Sequence, residues 1–192
     1  FLGVMSLIAQ ELIESVSTKF KIKKPKEEEV LSNVRLNAEP NNPNSVLNII
    51  DNYAYKKTFL MNIGEEKGLL LENAINESKA NNILELGVYL GYSTIRILKN
   101  LENHSRLTSI ESNKKFAEIA SENINIAGLS NKHKLIIGKS TEVIPSLKEK
   151  YDFIFIDHWK DLYLKDLKTL EDNDLIKSNA WIFADNVILF NL

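Results

Sequence analysis

Apolar positions along this chain follow two periods that change over near its middle. From residue 27 they recur every three to four positions, which predicts helices over 27–37, 45–57 and 65–80. The Asn- and Pro-rich stretch 39–44 separates the first two, and Asn62-Ile63-Gly64 precedes the third. Short continuous apolar runs at 83–86, 106–110, 134–137, 153–156 and 180–184 then read as strands. Amphipathic stretches at 93–101, 113–127, 142–150 and 161–171 lie between them. Gly128 closes the second of these, and Pro145 fits the third only near its first turn. Strands alternating with helices at this spacing specify an α/β fold, a doubly wound and mostly parallel sheet, here with three extra N-terminal helices.

Residues 1–26 stand apart from that regular pattern. Val4, Met5, Ile8, Leu12, Ile13 and Val16 recur at helical spacing, which suits an amphipathic helix. The apolar run 1–9 is too short to span a bilayer, which needs roughly 20 residues. It also suits the tail of a membrane anchor, with the basic stretch 19–26 (KFKIKKPK) as its cytoplasmic flank. The division expected is therefore a segment and linker at 1–26 and one domain at 27–192.

Composition narrows the function classes. With 24 basic against 26 acidic side chains, the net charge of -2 gives no general attraction to nucleic acid. There is no cysteine, so disulfides and thiolate metal sites are excluded, in keeping with a reducing compartment.

Candidate chemistry sits where strands end, the rim at which open α/β sheets bind ligands. After the first strand comes Glu85-Leu86-Gly87-Val88-Tyr89-Leu90-Gly91-Tyr92-Ser93, a glycine-bearing turn into a helix. Its spacing is not G-x-G-x-x-G, which argues against a nicotinamide cofactor. Glu111 ends the second strand, placed to hold ribose hydroxyls or, more plainly, to favour the next helix N-terminus. The last two strands run into Asp157-His158-Trp159-Lys160-Asp161 and Ala184-Asp185-Asn186-Val187. Two carboxylates and an amide oxygen beside a lysine suit a magnesium-type site with a base next to it. The plainer roles are caps and turns for Asp161 and Asp185, a solvated Lys160 and a core Trp159.

Taken in order, Asn37-Ala38-Glu39-Pro40, Met61-Asn62-Ile63-Gly64, the run 85–93, Gly138-Lys139-Ser140, 157–161 and 184–188 resemble the catechol O-methyltransferases. These are S-adenosylmethionine- and magnesium-dependent enzymes with a Rossmann-like fold, and the resemblance runs over 30–188. It implies Mg²⁺ ligands at Asp157, Asp185 and Asn186, and a general base at Lys160. Cofactor contacts are implied at Met61, Ile63, Glu85, Val88, Tyr89, Leu90, Gly91, Tyr92, Ser93, Glu111, Ser140, Asp157 and His158. Substrate contacts are implied at Lys160, Asn186 and Trp159. The expected activity is methyl transfer from S-adenosylmethionine to one hydroxyl of a catechol whose diol is chelated by the metal.

The sequence departs from the family at Phe59, where a tryptophan is usual, and at Phe190, where a proline is usual. The family also continues past position 192 through a helix and two strands, so the expectation is a chain shortened at its C-terminus, slow or inactive alone. A methyltransferase-fold scaffold with a weakened site is the alternative reading. It has no need of Asp157, Lys160, Asp185 and Asn186 together. The remaining expectations are a cytoplasmic monomer, with membrane contact through the N-terminal segment left open.

Overall fold

The computed structural model describes residues 24–187. The predicted amphipathic or anchor-like segment lies outside the described residues, as does most of the basic linker, and so do Ile188 and Phe190. Three helices come first: α1 (Lys26–Asn37), α2 (Pro43–Lys56) and α3 (Gly64–Ser78). Local chemistry explains their starts. Three glutamates occupy the first turn of α1, where the helix dipole favours them. Asn42 caps α2 by accepting the Ser45 amide at 3.2 Å, and Pro43 follows at the first helical position.

Alternation then begins with β1 (Asn82–Leu86), α4 (Tyr92–Lys99), β2 (Arg106–Glu111), α5 (Lys114–Ile126) and β3 (His133–Ile137). It ends with α6 (Ser140–Val143), β4 (Tyr151–Ile156), α7 (Tyr163–Asp172) and β5 (Ile176–Ala184). All pairings are parallel and the strand order is β3-β2-β1-β4-β5. This is the predicted doubly wound sheet with its extra N-terminal helices. The order reverses between β1 and β4, which opens a ligand crevice at their C-terminal ends.

Strand pleating divides the core. Ile83, Leu107, Phe153 and Phe155 face α1–α5, whereas Leu84, Leu86, Ile154 and Ile156 pack with Ile144, Tyr163 and Leu170 on the other face. The same alternation puts Glu85 on the Ile83 face, within a fully buried layer. No described helix is long and apolar enough to cross a membrane.

Two predicted elements differ. The helix expected over 142–150 is only the single turn α6, followed by a 3-10 turn at Ile144–Ser146. Because the helix starts at Ser140, Pro145 falls beyond the first turn, where it removes a donor and crowds the preceding carbonyls. β5 begins at Ile176 rather than at 180, and its register shifts against β4 between Tyr151 and Phe153. Two steps on β4 there face five on β5, from Ile176 to Trp181.

Candidate active site

The crevice is built by main chain before any side chain enters it. The Gly87 amide donates to the Ile110 carbonyl at 3.0 Å, Asp157 N–H to Leu86 at 2.9 Å and Asp185 N–H to Ile156 at 3.0 Å. Each carries the sheet ladder one step past its strand, so the two aspartates stand on the rim. Gly87 has a φ of +94°, and a Cβ there would overlap the Asp157 carbonyl oxygen and lie 2.8 Å from its carbon. Glycine is what lets β1 and β4 end side by side.

The loop after β1 divides its residues between two tasks. Val88, Tyr89, Tyr92 and Ser93 line a cleft with Met61, Asn62, Ile63, Gly87 and Asp157. Leu90 and Gly91 serve the packing of the loop on α5: the Leu90 carbonyl accepts from Asn123 Nδ2 at 2.9 Å, and Gly91 lies against Ala120. The Tyr92 ring is buried and its hydroxyl accepts from Arg96 at 2.8 Å. Tyr89 sets its ring edge-on to Phe116 and donates its hydroxyl to Glu27 at 2.8 Å.

Glu111 buckles this loop to the next helix. One carboxylate oxygen accepts the Val88 and Tyr89 amides, each at 3.0 Å, and the other accepts Asn113 N–H at 2.7 Å. Ser140 is buried at the start of α6, and the Gly138 amide binds the Glu111 carbonyl at 2.9 Å, which brings that turn alongside. Glu85 lies behind Ser93. Its carboxylate accepts hydroxyls from Ser93 at 2.6 Å, Thr94 at 2.8 Å and Ser109 at 2.6 Å. Burial pushes its pKa up to about 7 against the pull of those three hydroxyls. His133 Nε2 meets Ser109 Oγ at 2.9 Å, so a polar chain crosses β3, β2 and β1 to the start of α4 after the β1 loop. Burial lowers the His133 pKa to about 4.

The other end of the crevice is acidic. Burial, and then the neighbouring Asp185, push the Asp157 pKa up to about 8, opposed by Lys67 and Lys160. His158 Nε2 pairs with fully buried Asp166 at 2.6 Å, and its ring stacks on Tyr163 at 5.3 Å. Burial lowers the His158 pKa, and Asp166 works against that. Lys160 Nζ lies 3.4 Å from the Asp185 carbonyl oxygen, which also accepts from Tyr163 at 3.3 Å. Trp159 is 75% exposed, so it is not a core residue.

Sequence reasoning missed Lys67. From the first turn of α3, its Nζ donates to both Asp185 carboxylate oxygens at 2.6 Å and to Asn186 Oδ1 at 2.8 Å. The available signal was a lysine in a helix first turn, where the dipole disfavours positive charge unless an acid partner stands by. Asp166 and Tyr163 were missed as well, because a carboxylate and a phenol inside an amphipathic helix carry no signature of their own.

Among the described residues no three His, Cys, Asp or Glu side chains gather as a metal cluster. The candidate set here is two carboxylates completed by the Asn186 amide. Asp157 and Asp185 repel each other, and the cluster already gathers oxygens around one positive charge, the Lys67 ammonium. Hard oxygen donors in a carboxylate-rich, partly exposed pocket fit a magnesium ion.

Fold and rim together define a doubly wound α/β domain with a glycine-loop cleft running into an acidic corner. A family model described as O-methyltransferase matches residues 38–191, and the chain belongs to that family. Catechol O-methyltransferase of Mus musculus is 40% identical over 169 residues, covering 85% of this chain and 64% of that protein. Catechol O-methyltransferase of Bos taurus is 36% identical over 193 residues, covering 98% and 71%. Among solved structures, the O-methyltransferase TomG of Streptomyces achromogenes in complex with SAM aligns with a TM-score of 0.68 at 25% identity. That alignment covers 76% of this chain and 66% of TomG. The chain thus spans roughly two thirds of the length of these relatives.

Proposed function

We propose that this chain is the cofactor- and metal-binding part of a catechol O-methyltransferase, with residues 27–192 as its methyltransferase domain. The observation that carries the reading is convergence. Lys160, Asp157, Asp185 and Asn186 meet at the end of a cleft lined by the β1 loop and Met61-Asn62-Ile63. The two catechol O-methyltransferases and the SAM-bound relative support it.

In this reading S-adenosylmethionine lies along the cleft. Val88, Tyr89, Tyr92, Ser93 and Asp157 would hold it along the cleft, with Glu111 toward its ribose and Ser140 and His158 as further contacts. Asp157, Asp185 and Asn186 hold Mg²⁺, which supplies Lewis-acid lowering of a hydroxyl pKa. Lys160, as its free amine, accepts the proton of the hydroxyl that faces the methyl group. The phenolic oxygen then forms its bond to the methyl carbon as the carbon–sulfur bond of the sulfonium breaks. Orientation is the main remaining contribution, and Trp159 offers an exposed apolar wall for the ring.

Methylation of a simple catechol, followed with S-adenosylmethionine in Mg²⁺, is the test. In a form of the protein that methylates catechol, the expected result is turnover abolished by chelator and by Asp185→Ala, with binding of S-adenosylhomocysteine retained. Turnover in excess chelator would overturn the metal assignment. Absence of any binding of S-adenosylhomocysteine would overturn the reading as a whole.

A further inference from the structure

We propose that Lys67 is a tethered placeholder for the divalent cation, an ammonium that occupies the acidic corner and must leave it for the metal to bind. The inference rests on the metal assignment proposed above and deepens it.

The contacts are those of a cation within its ligands. Lys67 Nζ has three oxygens within 2.8 Å, all from Asp185 and Asn186, two of the three proposed metal ligands. Its charge also acts on Asp157, the third. Asp185 is nearly fully buried, with only 4% of its side chain exposed, whereas the Lys67 side chain is 41% exposed. A buried carboxylate without a nearby positive charge carries a large desolvation penalty. The half-exposed lysine has an open route outward, and the aspartate does not.

The helix that delivers Lys67 is anchored. Arg96 pairs with Glu72, a further turn along α3, within a buried layer, and Lys99 adds a second contact to Glu72 at 3.0 Å. Gly68, the very next residue, lies so close to the Arg96 side chain that a Cβ would overlap it. The backbone at Lys67 is therefore fixed over the rim, and its long flexible stem is the moving part. A lysine ammonium is a compact point charge on four rotatable carbons, suited to swing between carboxylate and solvent. When a divalent ion enters, two positive centres compete for the same oxygens, and the one with the exposed route is displaced.

Mn²⁺ binding to the cofactor-free chain, measured by calorimetry and by the loss of free-ion electron resonance signal, tests this. Lys67→Met keeps the stem and removes the competitor, so Mn²⁺ should bind about tenfold tighter or more. Lys67→Arg should stay at or below parental affinity. Removing a charge raises affinity even without displacement, so a second readout uses the parent protein with ¹³Cε-labelled lysine. The resonance missing from Lys67→Arg should shift during Mg²⁺ titration with the same midpoint as binding. Equal or weaker Mn²⁺ affinity in Lys67→Met, or a Lys67 resonance unmoved by Mg²⁺ that binds, overturns the placeholder. If Lys67→Met does not fold, the resonance alone decides. Mn²⁺ bound by neither parent nor variant would instead sink the metal assignment, a different failure.

Discussion

Gly87→Ala is the substitution that most directly tests how the crevice is made. Two costs act at that position. Alanine at a φ of +94° is strained, by roughly 1–2 kcal/mol on the scale for left-handed L-residues. Its Cβ would also overlap the Asp157 carbonyl, and that backbone cannot yield freely because the Asp157 amide is bonded to Leu86 at 2.9 Å. Forcing extra volume into a packed place costs a further 1–3 kcal/mol or so. The total, about 2–5 kcal/mol, is a large part of the 5–15 kcal/mol or so that holds a typical domain folded. Gly64→Ala separates the two costs, since Gly64 has a φ of +75° and nothing within 4 Å of where its Cβ would stand. Urea unfolding should show Gly64→Ala losing only the strain and Gly87→Ala losing visibly more. Calorimetry should show weaker S-adenosylhomocysteine binding only in Gly87→Ala, because Asp157 moves with the β4 end. Equal losses in the two variants would refute the close approach of β1 to Asp157.

Other expectations follow from the same geometry. Glu111→Ala should weaken S-adenosylhomocysteine by about 1.5–3 kcal/mol in calorimetry, since a charged acceptor is removed from the proposed ribose contact and the loop amides lose it too. Parental affinity would remove Glu111 from the site. In a form of the protein that methylates catechol, Lys160→Ala should cut turnover about 10²-fold or more with little change in cofactor affinity. Lys160→Arg should not restore it, because guanidinium does not give up its proton at working pH. Between about 4 and 7 two buried groups make opposed contributions to how stability varies with pH, while Asp157, raised to about 8, makes stability fall as pH rises toward 8. His133, lowered to about 4, contributes stability present above its ordinary 6.5 and lost as pH falls through about 4. Glu85, raised to about 7, contributes stability present below its ordinary 4.5 and lost as pH rises through about 7. Each is worth on the order of 3 kcal/mol at full effect. His133→Gln should therefore steepen the fall of stability as pH rises to about 7, read by urea midpoints. A profile unchanged by that substitution would count against the buried chain.

The sheet was legible because parallel strands buried on both faces read as short apolar runs, as at Phe153-Ile154-Phe155-Ile156. The rim residues were legible for a related reason: Asp157 and Asp185 each follow such a run directly. Contacts that depend on tertiary placement were not. Lys67 and Asp185 are 118 positions apart, and Asp166 is one of several polar residues on α7 until the fold buries it. The missing part of the helix expected at 142–150 is a matter of phase, since a start two residues earlier turns Pro145 from tolerated to terminating. The early start of β5 was hidden by Lys177-Ser178-Asn179, three polar residues in a place that shows no alternation.

Those same polar residues bear on how the chain can vary in length. Above the register shift, β5 holds its place on β4 through four consecutive pairs, from Phe153 with Trp181 to Ile156 with Ala184. The position of Asp185 is counted from those pairs and not from the turn after α7. A residue gained or lost between Ile176 and Trp181 is absorbed where the two strands are already out of step, and the face toward which Asp185 points is unchanged. The same change made above Trp181 would invert every side chain up to the acidic corner. Of the whole last strand, the lower half is the stretch along which a lineage is free to lengthen or shorten without touching the chemistry.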